Sequence, residues 1–252
     1  MSNRVISPWN SPEYNPRLKV RWAKHHLNIL LREIGEYLES NPYSLSFEDD
    51  LKAGEHIAKL QLKPIRDRVG LTLGDFVSCL RGSLDHLATA LTRCKGGAPN
   101  DRAAFPIIGT NNSDGRREFA NAVQGVPDPA VTVIESLQPY HDGQRYEAAK
   151  LWRLHRLWNI DKHRRIPFHL TRVKVWIVGP SEMPPIDGGP DDSGIMRFPL
   201  AAKDKVYLQP PVEIGIEFGD KAEGIIIPYR ELIEIYDFVR KDVMPKFDGF
   251  FK

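Results

Sequence analysis

Apolar residues recur at helical spacing in three long stretches between Arg17 and Arg164 and alternate in short stretches after residue 170, so the chain is helix-rich first and strand-bearing later. Val20, Ala23, Leu27, Leu30, Ile34 and Leu38 mark a first helix over Arg17 to Ser40, ended by Asn41-Pro42. A second carries Leu73, Val77, Leu80, Leu84, Leu87 and Leu91 in a tight stripe, with Thr72-x-x-Asp75 as its capping box. A third runs from Gln144 to Arg164 and is stopped by Pro167. Shorter helices are expected at Asp114 to Val123 and at Pro129 to Leu137, the latter with Asp128 as N-cap. Tyr43 to Glu48 and Glu55 to Leu62 read as a hairpin turning at Asp50 to Gly54. Gly96 to Ser113 reads as a loop with Phe105-Pro106-Ile107 anchored inside it.

Beyond residue 170, Val173 to Val178, Val212 to Phe218 and Ile225 to Ile227 have strand character. A Gly- and Pro-rich loop is expected over Gly179 to Gly194, and a closing amphipathic helix over Tyr229 to Val243. The fold class is α+β. A helical bundle occupies residues 1–170, with the hairpin near 43–62. A small antiparallel sheet and packing helix occupy 171–252, packed on the bundle as one unit.

Charge is uneven. The net charge is +2, but the window Gln144 to Lys174 holds nine Lys or Arg against Glu147 and Asp161, leaving it at +7 and the remainder at −5. A local excess of this kind suits a polyanion such as RNA. Five tryptophans, Trp152 and Trp158 among them, are available for base stacking or core packing. Cys79 and Cys94 have neither metal-ligand spacing nor a disulfide framework, which points to reduced thiols. The first ten residues lack a signal-peptide core, and no apolar run reaches the ~20 residues of a membrane span, so a cytoplasmic protein is expected.

Two polar clusters interrupt the apolar faces: Arg81-Gly82-Ser83-Leu84-Asp85-His86 and Asn159-Ile160-Asp161-Lys162-His163-Arg164-Arg165. Ionisable groups in such a setting are costly unless paired or used. Arg81 and Asp85, four residues apart, lie side by side, whereas His86 points about 140° away from Arg81. His155 and Asn159 share a face with Lys162 or His163, and Asp161 turns toward the packed side. Three readings stay open. The clusters can form a buried Asp/His/Arg network in a non-enzymatic binding or assembly module. Asp85, His86, Asp161 and His163 can serve a metal-dependent hydrolase, although their spacing matches no familiar ligand set. Alternatively, a histidine with a pKa of about 6.5 and an arginine can cleave a phosphodiester without metal or cofactor.

The Arg81-x4-His86 motif on a helix of a helical bundle resembles the Arg-x(4–6)-His signature of HEPN domains, many of which are metal-independent endoribonucleases. The wider pattern also resembles a group of uncharacterised bacterial proteins with Leu-Asp-His and Asn-x-Asp-Lys-His-Arg clusters. The HEPN resemblance implies a homodimer in which Arg81 of one chain meets His86 of the other. His86 would then be the general acid/base and Arg81 the phosphate clamp. Asp85, Asn159, Asp161 and His163 would orient them, and Arg153, Arg156, Lys162, Arg164 and Arg165 would hold RNA phosphates. It further implies a toxin or phage-defence role and an antitoxin partner.

Overall fold

The computed structural model describes residues 15–94, 103–178, 194–199 and 207–251, with side chains at 169–178 and 207–214 left aside. The N-terminal ten residues, most of the Gly/Pro-rich segment after Val178 and the start of the loop at Gly96 lie outside the described residues. The chain is mixed helix and sheet. Its elements are α1 (Pro16–Glu39), β1 (Tyr43–Asp50), β2 (Glu55–Leu62), α2 (Arg68–Arg93), α3 (Ser113–Ala122), α4 (Asp128–Ser136), a 3-10 stretch (Pro139–Ala148), α5 (Lys150–His163), β3 (Phe168–Val178), β4 (Ile195–Pro199), β5 (Tyr207–Asp220), β6 (Ile225–Pro228) and α6 (Glu231–Asp237). After α6 the chain continues as a π turn and then a 3-10 stretch to Phe251.

The chain forms two compact units that interleave in sequence. One comprises Met1–Leu31, Gly70–Pro167 and Phe218–Lys252; the other comprises Arg32–Val69 and Phe168–Glu217. In the first, the apolar stripes of α1 (Val20, Ala23, Leu27), α2 (Leu73, Leu80, Leu84, Leu87) and α5 (Leu151, Leu154, Leu157) are buried. Leu232, Ile235, Val239 and Phe247 of the C-terminal segment are buried as well. In the second, β1 and β2 pair as an antiparallel hairpin from Tyr43↔Leu62 to Asp50↔Glu55. Elsewhere in the chain, strands pair in the order β3-β5-β6.

Four local expectations are corrected. Helix α2 starts at Arg68 rather than Thr72, because buried Val69 extends the apolar stripe one turn further back; Thr72 is buried inside the helix and caps nothing. Pro127, not Asp128, is the N-cap of α4, and Asp128 sits in the first turn, where its charge favours the helix dipole. The third long helix is broken: Gly143 has φ +58, Ala149 is extended, and α5 proper begins at Lys150. Arg145 and Glu147 therefore leave the helix surface.

The fourth correction adds a strand. The hairpin does not stand alone, since β4 pairs antiparallel with β2 from Glu55↔Pro199 to Lys59↔Ile195. Gly194 makes the entry possible. Its φ is +79, its carbonyl accepts from the Leu60 N–H at 2.8 Å, and a Cβ there would overlap the Leu60 carbonyl.

Candidate functional site

Arg81 sits in the middle of α2 with 4% of its surface exposed. Its Nη1 donates to Asp85 Oδ1 at 2.5 Å, and its Nη2 donates to the Phe105 carbonyl at 2.8 Å. The same Asp85 oxygen accepts the Phe105 N–H at 3.1 Å. One Arg/Asp pair at i, i+4 therefore grips both backbone groups of a single buried residue in the strap that follows α2. The guanidinium carbon also lies 5.0 Å from the centroid of the Trp158 ring. Further along the strap, Gln138 accepts the Ile108 N–H at 2.9 Å and donates to the Pro106 carbonyl at 3.0 Å. These bonds satisfy backbone groups of Phe105, Pro106 and Ile108, in a segment with no regular secondary structure.

His86 is on a different flank, as the 140° offset requires. It is half-buried, and burial followed by the Lys19 ammonium pushes its pKa down, against a smaller opposing pull from Asp85. Its Nδ1 is buried without a hydrogen-bond partner. Arg81 and His86 of one chain do not converge on a common point.

The residues expected to orient them divide as well. Asp85 is joined to Arg81. Asp161 accepts from Ser78 Oγ at 3.3 Å and reaches neither Arg81, His86 nor His163; burial pushes its carboxyl pKa up. It packs where Gly74 leaves space, since a Cβ at Gly74 would overlap the carboxylate. Gly74→Ala should therefore turn the Asp161 carboxylate away at a net cost of about 0–2 kcal/mol, because alanine's better helix propensity offsets about 1 kcal/mol, measured as a shift in denaturation midpoint. His163 is exposed.

The histidine that shares Arg81's surroundings is His155. Its Nε2 contacts Asn159 Nδ2 at 3.0 Å, which makes Nε2 the acceptor and places the ring proton on Nδ1. Nδ1 is buried with no partner. Burial, then the charges of Arg81, Lys162 and Arg156, push its pKa down to about 4. Sequence reasoning placed His155 on a face with Asn159 but gave it no role. The cue was there in the i, i+4 spacing to Asn159.

Three of the five expected phosphate ligands already hold carboxylates. Arg153 pairs with Glu231, Arg156 with Glu223 at 3.1 Å, and Arg164 with Asp220 at 2.6 Å. Lys162 Nζ lies 3.5 Å from the Trp158 ring centroid. Arg165 packs its stem against Gly70. The +7 window is thus partly neutralised in three dimensions by acidic residues that are distant in sequence.

Beside the strap is a cleft of about 510 Å³ bordered by Arg145, Tyr146, Trp152, Arg153 and Arg156, with Gly224–Ile226 across from them. A second cavity of about 330 Å³ shares Tyr146 and Trp152 and adds Thr110, Asn112 and His155. The Tyr146 and Trp152 rings meet edge-on at 5.1 Å, and Gly109 fits against them only because it has no Cβ. The strap fixed by Arg81, Asp85 and Gln138 thus ends at this aromatic wall. The cleft leaves no mark in the sequence, because Arg145 and Tyr146 stand in a stretch that reads as one continuous helix from Gln144 to Arg164.

Among the described residues, no three or more His, Cys, Asp or Glu side chains come together at a spacing that could hold a metal ion. No described helix is long and apolar enough to cross a membrane. Compared with family models, curated proteins and solved structures, the chain matches none.

Proposed function

We propose that this protein binds single-stranded RNA at the Tyr146–Trp152 cleft without cleaving it, and that the Arg81/Asp85 cluster serves as scaffolding. The observation that carries this reading is the cleft itself, where two aromatic rings stand among three arginines. Bases stack on aromatic faces irrespective of sequence, and guanidinium groups donate hydrogen bonds to phosphate oxygens. Arg145 makes no hydrogen bond or ion pair in the described structure, whereas Arg153 and Arg156 must exchange a carboxylate for a phosphate. Affinity therefore rests on stacking more than on charge.

The test is binding of a short fluorescent oligouridylate to the full chain. With only one or two phosphates newly neutralised, log K should fall against log salt with a slope of about −0.7 to −1.4. Trp152→Ala should weaken binding about 10- to 100-fold. Absence of binding at low salt, or equal affinity of the Trp152 variant, overturns the proposal.

A second reading, the metal-independent endoribonuclease built on Arg81 and His86 across a homodimer, is favoured by one observation. The lowered pKa of His86 favours the neutral imidazole near pH 7, the form that can accept a proton. It requires Arg81 to leave Asp85 and Phe105. The same RNA, followed for cleavage with and without chelator, separates the readings: cutting that His86→Ala abolishes at unchanged melting temperature favours the nuclease.

A further inference from the structure

The second unit contains a separate small cavity of about 190 Å³ between the C-terminal end of α1 and the segment entering α2. Glu33 is part of its lining, a carboxylate whose side chain is only 3% exposed. One oxygen, Oε1, is held by Arg68 from the surface side. The other, Oε2, is buried and has no hydrogen-bond partner. A buried carboxylate oxygen left without a donor is costly, so this atom marks a place for an incoming N–H or O–H.

The remaining lining narrows what that donor belongs to. Tyr37 borders the cavity with its hydroxyl already committed to the Lys63 carbonyl at 2.6 Å, so it contributes a ring face. Ser40 likewise gives its hydroxyl to the Tyr37 carbonyl at 2.7 Å. Ile65 and Val69 supply apolar wall. Glu36, Lys63 and Arg66 complete the border, and the two cations are exposed. A purely cationic ligand would meet Lys63 and Arg66, and a purely anionic one would meet Glu33 and Glu36. A small zwitterion satisfies both ends. Its ammonium reaches Glu33 Oε2 over the Tyr37 ring, and its carboxylate faces Lys63 and Arg66. At roughly 20–30 Å³ per non-hydrogen atom, by the volume a water occupies, the cavity holds about six to nine such atoms. That is the size of a free amino acid with a small side chain, and too little for a folded partner.

We infer that the Glu33 cavity binds a small zwitterionic amino acid, with Glu33 as the ammonium acceptor. This is independent of the nucleic-acid reading, since no residue of the Tyr146–Trp152 cleft takes part.

The experiment is calorimetric titration of the full chain with glycine, L-alanine and L-serine, beside ethylammonium and acetate at equal concentration. One or more of the amino acids should bind at millimolar concentration or tighter, and each half-ligand at least about tenfold more weakly. Glu33→Gln removes the charge while keeping the shape and should weaken binding about 10- to 100-fold. Should that variant fail to fold, Arg66→Glu, on the exposed border, should weaken amino-acid binding and leave ethylammonium binding no weaker. No heat with any amino acid means that water alone satisfies Glu33 and overturns the inference. So does equal affinity for ethylammonium, or undiminished binding by the Glu33 variant.

Discussion

Arg81→Ala should destabilise the protein by about 2–4 kcal/mol, seen as a lower denaturation midpoint with an unchanged slope. The loss has three physical parts. The Phe105 carbonyl, in a fully buried residue, loses its donor. Asp85 keeps only the Phe105 N–H, so its charge is uncompensated on that side. The Trp158 ring loses one of its two neighbouring cations and keeps Lys162. The magnitude falls at the lower end for a broken buried pair because the Asp85 side chain retains 29% exposure and some solvent screening. Arg81→Lys should recover only part of the loss, since an ammonium lacks the planar fork that reaches Asp85 and Phe105 together. Asp85→Asn, which keeps an acceptor for the Phe105 N–H, should cost less than Arg81→Ala. A catalytic arginine predicts the opposite pattern: activity lost, stability kept. Native stability of Arg81→Ala would remove the scaffolding argument.

Much of the fold was legible because its cause is local. The 3.6-residue stripe of α2 and the hairpin pattern of β1 and β2 depend on each segment's own apolar spacing, and both form as expected. What was not legible depends on partners far along the chain. β4 has a short, weakly patterned sequence and becomes a strand by pairing with β2, some 140 residues earlier, at a glycine that turns the backbone. The break before α5 is written in Gly143, but a lone glycine in an amphipathic stretch is tolerated often enough to be passed over. Helix geometry correctly separated Arg81 from His86. It could not show that Arg81's second partner is the Phe105 carbonyl, because a backbone group leaves no trace in residue type. The same blindness affected the basic window: Arg153 and Arg156 look free in sequence until Glu231 and Glu223 arrive from the C-terminal segment.

The protein should lose about 2 kcal/mol of stability between pH 7 and pH 5, and His155 should account for most of it. In the unfolded chain this imidazole titrates near 6.5, whereas in the fold it does so at about 4. Between those values the unfolded state binds a proton that the folded state refuses, so stability rises with pH across the window and falls as pH drops from 6.5 toward 4. The whole interval amounts to about 3 kcal/mol. His86, its pKa also lowered by burial, contributes with the same sign, and Asp161, its carboxyl pKa raised, contributes with the opposite sign near the acid end. Chemical denaturation at pH 5 and pH 7 measures the difference directly. His155→Gln should flatten the dependence to less than half, because it removes the more strongly lowered of the two lowered imidazole pKa values among the described residues. Arg81→Ala should also flatten it, though less, since Arg81 is the first of the three cations holding His155 neutral, after burial itself. A pH dependence that His155→Gln leaves untouched would mean that the ring between Trp152 and Trp158 accepts its proton in the fold, and that Arg81 does not govern this part of the core.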